Sequence, residues 1–372
     1  GQNQSDQEVP FLVKASAQAI NASPVPACAF IQELEEAQLG YNTSTAIEEL
    51  QGRIQRKLLK KDLEPMQALK LIDTLQRLGI AYYFDEKIDS LLEKSAYGTK
   101  IGNNLSQTAL LFRKISGSPT ILQLAKLDFN RVQSLHQSEL NEIIRWWKDL
   151  GLVDKLRFAR DRPLECFLWS VGIFPEPQHS RSRIELTKTI AILLWVDMIE
   201  GFLVEAKWFH KGYVPNFEEY LENGVATAGT YMALVHTFFL VGMQVNEHTI
   251  KMMQPYPKLF SCAGRILRLW DDLGTAKEEQ ERGDVASSME CLMRENNISS
   301  DIEAREHVRQ LIQSLWRELN GELVTSSGLP LSTVKACFNV SRTSRVIYQH
   351  GDDDMAFGVE YHVNSLFRPV TH

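Results

Sequence analysis

Apolar residues recur at intervals of three and four through most of this chain, while strict alternation of apolar and polar residues is nearly absent. The segments TAIEELQGRIQRKLLKK (45–61), PMQALKLIDTLQRLGIAYYF (65–84), DEKIDSLLEK (85–94), ELNEIIRWWKDLGL (139–152), RIELTKTIAILL (183–194) and EHVRQLIQSLWRELNGEL (306–323) each gather an apolar stripe on one side. That is the pattern of a helix that buries one face. Asp85 stands where a helix start needs an acceptor, and Gly151 follows IIRWWKDL where a helix end needs a turning residue. The spacing predicts an all-α fold with helices packed around a central cavity. A Gly-, Asn- and Ser-rich stretch, YGTKIGNNLSQ, followed by KISGSP, interrupts the pattern between residues 97 and 119 and reads as a boundary. No internal repeat is present.

Composition narrows the class without naming a reaction. The 372 residues are 44% hydrophobic and 23% charged, enough for two domains with ordinary cores. A net charge of −7 gives no sign of nucleic-acid binding. The longest apolar runs, TIAILLWVDMI and YMALVHTFFLVGM, fall short of a membrane span and carry polar residues, so no integral membrane segment is expected. Cys28, Cys166, Cys262, Cys291 and Cys337 are odd in number and lack metal-ligand spacing, which fits buried thiols in a reducing compartment. The chain opens on GQNQSDQE without Met, so no targeting signal is read from it.

The chemistry concentrates in RILRLWDDLGTAKEEQERGD, residues 265–284. Asp271, Thr275 and Glu279 stand four apart, with Arg268 one turn earlier. On a helix each such step turns by about 40° and rises about 6 Å, so the three oxygen-bearing side chains share one face. Hard oxygen donors of this kind suit Mg²⁺ or Mn²⁺, with water or substrate phosphate completing the shell. A phosphate would also account for Arg268. The plainer alternative is a solvated face with local ion pairs, which TAKEEQER also fits. Against it stand Ile266, Leu267, Leu269, Trp270 and Leu273, whose apolar surface buries the start of the helix. A carboxylate beside such a wall requires a partner or an ion.

A second cluster lies in RFARDRPLECFLW. Arg160 and Arg162 flank Asp161, and Pro163 biases the preceding residue away from helix, so both guanidiniums can project from a loop or helix edge. Two permanent cations side by side suit an anion such as diphosphate, because each guanidinium offers a planar fork of donors. The plainer alternative is a surface loop neutralised by Asp161 and Glu165.

An arginine pair, then an arginine, then an Asp/Thr/Glu helix face, in that order in an all-α chain, resembles the plant terpene synthases. The likeness runs from LIDTLQRLGIAYYF to YQHGDDD and includes LAKLDFNRVQSLHQSELNEIIRWWKDLGL, WVDMIEGFLVEAKWFHKGYVPNFEEYLENG and RGDVASSMECLMREN. It looks most like the branch that makes the acyclic alcohols linalool and nerolidol, and no N-terminal tandem-arginine and tryptophan motif of the cyclising monoterpene synthases is found. The resemblance implies an N-terminal helical domain over 1–113 and a class I catalytic domain over 114–372. It implies a monomer acting on a prenyl diphosphate in plastid or cytoplasm. Asp271, Thr275 and Glu279 match the family's second metal motif, with Asp272 preceding Leu273 as the pattern requires. Arg160, Arg162 and Arg268 match residues that hold the departing diphosphate, and Tyr348 joins them in the expected catalytic set. Trp195, Tyr231, Phe338 and Tyr348 are candidate cavity walls, although core packing accounts for each equally well. Thr227, Gly229 and Thr230 in GVATAGTYMAL match a helix break whose freed carbonyls face the substrate cation, and Tyr231 comes directly after them.

One departure from the family stands out. Its aspartate-rich first metal motif, expected at the end of RIELTKTIAILL, is missing: Leu194 runs directly into WVDMIEGF, which in the family lies on a later helix. Asp197 and Glu200 are no substitute, because their three-residue spacing lacks the paired aspartate. A similar jump lies near Arg113 and Lys114. Either a variant chain has lost whole helices or the sequence is closed up over missing segments. The second is expected, since lost core helices would leave large apolar faces uncovered.

Overall fold

A computed structural model describes residues 43–60, 63, 65–98, 119–152, 162–282, 287–324 and 328–348, with the backbone alone at 43, 65, 66, 92–98, 194–202, 209, 276–282 and 324. Among the described residues there are thirteen α-helices and no strand, as the three- and four-residue periodicity requires. The boundary stretch around 97–119 lies almost wholly outside them.

The chain forms two compact units. The described part of one unit holds α1 (Thr43–Leu58), α2 (Pro65–Arg77), α3 (Asp85–Gly98) and the portion of α4 (Pro119–Leu150) up to Ser138. Its core is the stripe the sequence pattern marks: Ile54, Leu75, Ile80 and Leu124 are almost wholly buried. Into that core it also takes a charge. Asp128 accepts hydrogen bonds from the hydroxyls of Tyr82 and Tyr83, each 2.6 Å away, and pairs with Arg131 at 2.9 Å. Three donors offset the cost of burying one carboxylate. Gly151, just past the end of α4, takes the left-handed conformation with φ +58°, so the helix stops where the sequence pattern places its end.

The other unit begins within α4 at Glu139 and contains α5 (Pro163–Ile173), α6 (Ser180–Lys211), α7 (Phe217–Thr227), α8 (Thr230–Leu240), α9 (Glu247–Lys251), α10 (Lys258–Arg282), α11 (Ser288–Asn296), α12 (Asp301–Val324) and α13 (Leu331–Tyr348). Helix α10 is its centre, packed by α7, α8, α11, α12 and α13. Phe260, Ala263, Ile266 and Leu269 repeat every three residues and are fully buried, so one face of α10 is the spine of the core. Helix α6 runs unbroken across Leu194 and Trp195, joining two segments that the family pattern keeps apart. The four described cysteines, Cys166, Cys262, Cys291 and Cys337, are buried and free, and Cys28 lies outside the described residues.

One buried ion pair anchors the start of this unit. Arg183, on the first turn of α6, is fully buried and forms a two-pronged pair with Glu139, at 2.7 Å and 2.9 Å. Its remaining nitrogen donates to the carbonyls of Phe174 and Glu176 at 2.7 and 2.6 Å. The guanidinium therefore ties α4 to the corner that links α5 to α6. Replacing only one partner strands a buried charge, which costs about 3–5 kcal/mol, whereas replacing both by apolar groups costs less. Glu139→Gln is accordingly expected to lower the urea unfolding midpoint by about 3 kcal/mol of stability at unchanged slope. The double variant Arg183→Met with Glu139→Leu should lose less than the single one, and a single-variant loss under about 1 kcal/mol would show that the pair does not hold the corner.

Candidate active site

The face of α10 that continues its apolar spine carries the cluster. Leu269, Asp272 and Leu273 extend the buried stripe, so the helix period drives Asp272 into the core, where its exposure is 0%. Asp271, one residue earlier, keeps its side chain 21% exposed. The carboxylate beside the apolar wall is Asp272. Arg268 lies one turn before both and pairs with both. Its Nη1 is 3.2 Å from Asp271 Oδ2, and its Nη2 pairs with Asp272 Oδ1.

A residue from another helix completes the arrangement. Tyr220 on α7 donates its hydroxyl proton to Asp272 Oδ1 at 3.0 Å and accepts from Arg268 Nη2 at 2.7 Å. The Arg268 guanidinium carbon also stands 5.6 Å from the centre of the Tyr220 ring, a cation–π distance. Local chemistry fixes where Tyr220 sits. Asn216 and Glu219 form a reciprocal capping box at the start of α7, with bonds of 2.9 and 3.1 Å, and Tyr220 comes next. One turn on, Gly224 has no side chain because none fits: a Cβ there would stand 2.8 Å from Arg268 Cδ. At Gly264 of α10 a Cβ would stand 2.5 Å from Val225. Two glycines thus let α7 and α10 approach closely enough for tyrosine and arginine to meet.

Tyr348, at the end of α13, closes the other side. It packs over Gly274, where a Cβ would come within 3.2 Å of it, and its ring lies 6.3 Å from Trp169 of α5. Burial, then the charge of Asp271 and the hydrogen bond to it, holds the phenol's pKa well above its usual value. Tyr348 therefore stays protonated at neutral pH and acts there as a donor rather than a base. The charge of Glu165 also acts on this phenol, and Glu165 pairs with Arg162 at 3.1 Å. Arg162 caps α5 immediately before Pro163, at the helix edge that the sequence implies.

The structure therefore brings together Arg268, Asp271, Thr275 and Tyr348, with Arg162 linked through Glu165. Arg160 lies outside the described residues. Glu279 and Trp195 are on α10 and α6, but their side chains are not described. Asp197 and Glu200 lie on α6 under the same condition. The helix break is present: α7 ends at Thr227, Gly229 is left-handed with φ +64°, and α8 begins at Thr230. The bonds across it run from Ala228 N–H to Gly224, Gly229 N–H to Ala226 and Ala233 N–H to Gly229, and none uses the carbonyls of Thr227 or Ala228. Thr230 is buried against α10 at Gly264, and its hydroxyl has no partner. Tyr231 stacks on Tyr256 at 4.3 Å and 7°. Phe338 is a buried core residue, 6.1 Å from Trp316.

These residues fit a hard divalent cation on one count that the structure shows directly. Thr275 donates its proton to the Asp271 carbonyl at 2.9 Å, which holds its hydroxyl one turn from the Asp271 carboxylate, two hard oxygens on one helix. Among the described residues no group of three His, Cys, Asp or Glu side chains gathers into a metal cluster.

Tyr220 and Asp272 carry no functional role on the sequence pattern alone. Their signal is a glycine inside an otherwise good helix, EEYLENGVAT, which marks a close approach one turn beyond a tyrosine. Nothing in the sequence says what approaches.

Two family models match the chain: "Terpene synthase, N-terminal domain" over residues 23–115 and "Terpene synthase family, metal binding domain" over 148–197 and 192–318. The second match comes in two pieces that meet at 192–197, around the Leu194–Trp195 junction. A probable terpene synthase 11 of Ricinus communis is 54% identical over 68% of this chain, and a geraniol synthase of Ocimum basilicum is 46% identical over 66%. The chain spans 56% of the length of each of these two relatives. A chloroplastic monoterpene synthase of Cananga odorata is 41% identical, with 87% of this chain and 85% of the relative covered. That alignment occupies 498 positions, so about 170 positions within the matched part of the relative have no counterpart among these 372 residues. Isoprene synthase from grey poplar, solved with three Mg²⁺ ions and dimethylallyl-S-thiolodiphosphate, shares the fold at TM-score 0.77 and 21% identity over 92% of this chain and 99% of that one. Among the described residues no helix is long and apolar enough to cross a membrane. With its α10 motif, its helical architecture and a relative matched along most of both chains, the protein belongs to the terpene synthase family.

Proposed function

We propose that this protein is a Mg²⁺-dependent synthase that ionises geranyl or farnesyl diphosphate. Diphosphate departs, and water captures the allylic cation to give an acyclic tertiary alcohol, linalool or nerolidol. The observation that carries this reading is the pairing of Arg268 with Asp271 beside Thr275, a cation and hard oxygen donors on one helix face. Arg268 and Arg162, with Arg160, supply fork-shaped donors to the diphosphate oxygens. Asp271, Thr275 and Glu279 form the ligand face for the metal. A divalent cation bound there would draw off the charge that develops on the leaving diphosphate. Tyr348, kept protonated, donates to Asp271 and holds that carboxylate in place. The carbonyls of Thr227 and Ala228 offer partial negative charge to the cation, with Trp195 and Tyr231 as candidate walls. The names of the Cananga and basil relatives, a monoterpene synthase and a synthase of an acyclic C10 alcohol, favour geranyl diphosphate, and both being named chloroplastic favours a plastid setting.

A second reading rests on a separate observation, the break in the metal-domain match at Leu194 and Trp195. If the chain truly lacks the aspartate-rich segment there, one metal face would confront the leaving group alone, and the protein would bind isoprenoid diphosphates without ionising them. The intact mass of the protein purified from its source separates the two. A value well above 42.4 kDa is expected, with the extra segments mapping to the Leu194–Trp195 and Arg113–Lys114 junctions; a value of 42.4 kDa favours the silent homologue.

Turnover and products test the leading reading directly. Glu279→Ala should raise the Mg²⁺ concentration needed for half-maximal turnover by roughly ten-fold or more and depress turnover itself. Unchanged Mg²⁺ dependence in that variant removes the metal face from the mechanism. Gas chromatography after incubation with geranyl diphosphate should show chiefly linalool, and with farnesyl diphosphate chiefly nerolidol. Mainly cyclic hydrocarbons would overturn the acyclic-alcohol assignment.

A further inference from the structure

Arg268 has two carboxylate partners with different prospects. Asp271 is partly exposed and belongs to the face proposed to hold the metal, so it must turn toward a cation when one binds. Asp272 is fully buried and cannot. A guanidinium held only by Asp271 would lose its orientation at the moment the diphosphate needs it. The structure supplies a second hold that does not involve Asp271. Arg268 Nη2 reaches the Tyr220 hydroxyl at 2.7 Å, and that hydroxyl is fixed by its own bond to Asp272 Oδ1 at 3.0 Å. The guanidinium lies over the Tyr220 ring, and the Arg268 stem is confined where a Cβ on Gly224 would stand 2.8 Å from Cδ. Tyr220 is itself buried, 5% exposed, and is set by the capping box immediately before it. Every part of this hold comes from α7 or from the buried side of α10.

We propose that Tyr220 is a positioning residue: with Asp272 it forms a fixed rear anchor that keeps the Arg268 guanidinium aimed at the diphosphate while Asp271 exchanges its ion pair for the metal. The inference rests on the diphosphate-binding reading above and adds to it the residue that makes the exchange possible. Tyr220 touches neither substrate nor metal and acts only through Arg268. Its hydroxyl both accepts from the guanidinium and donates to the buried carboxylate. Phenylalanine in its place keeps the ring and the packing and removes that atom alone.

Binding of inorganic diphosphate in saturating Mg²⁺, measured by isothermal titration calorimetry on the full chain, reads the anchor without requiring turnover. Tyr220→Phe is expected to weaken diphosphate about ten-fold, the scale of one hydrogen bond to a charged group. It should leave the Mg²⁺ concentration for half-maximal binding within about two-fold, because the metal face is untouched. In an Arg268→Ala background the same substitution should cost less than about two-fold, since the group it positions is gone. An equal loss in both backgrounds would mean that Tyr220 acts through general packing and would overturn the proposal. So would an unchanged affinity in the single variant. Absence of diphosphate binding by the unsubstituted protein is a separate failure, which removes the underlying functional reading and this one with it. A thermal melt of each variant confirms that binding is measured on folded protein, and Tyr220→Leu, which also removes the ring, should weaken binding at least as much as Tyr220→Phe.

Discussion

The constraint on which the catalytic unit depends is a carboxylate carried into the core. The apolar stripe of α10 repeats through Phe260, Ala263, Ile266 and Leu269, and the same helical period brings Asp272 to full burial. An ionised carboxylate in such surroundings costs several kcal/mol unless it is paired and hydrogen-bonded. Arg268 from the same helix and Tyr220 from α7 meet that cost together, so α7 must lie close to α10. Gly224 and Gly264 are the consequence, each leaving room that a methyl group would take from the neighbouring helix. One buried charge thus sets the spacing of two helices, the orientation of an arginine and the position of a tyrosine.

The buried pair of Arg183 and Glu139 serves a different end by similar physics. It bonds to the Phe174 and Glu176 carbonyls in the turn from α5 into α6, the second of which also accepts from the His179 N–H. The charge fixes a corner rather than a site. The distinction lies in exposure. The Arg183 and Glu139 side chains are buried throughout, whereas the Arg268 cluster includes Asp271, whose side chain is 21% exposed.

The helices were legible because periodicity is a local property, and so was the shared face of Asp271 and Thr275, which needs only four residues of one helix. The break at Gly229 was implied by the resemblance rather than by periodicity, and glycine's freedom to take φ +64° permits it. What escaped the sequence was tertiary. Tyr220 lies 48 residues before Arg268, and no pattern within EEYLENG reveals that its hydroxyl meets a guanidinium. The burial of Asp272 follows the period of the α10 stripe, but the partner that meets it from α7 does not show in that period. The stacking of Tyr231, a candidate wall residue, on Tyr256 is likewise tertiary. Chain position sets its distance from Gly229, not the side of α8 on which a partner waits.

The junction at Leu194 and Trp195 bears on all of this. Helix α6 passes through it without interruption, because both flanking segments are rich in apolar residues that continue a helix equally well. Local propensity alone cannot register a missing segment when both ends prefer the same conformation. The metal-domain match divides at 192–197, and the alignment with the Cananga relative leaves positions of that relative without a counterpart. Diphosphate ionisation needs counter-charge on both sides of the leaving group and a cavity closed to water. On the α10 side the structure places Arg268, Asp271, Thr275 and Tyr348 together. What the chain joins to the end of RIELTKTIAILL decides whether the proposed reaction finds its second side or the protein only holds a diphosphate.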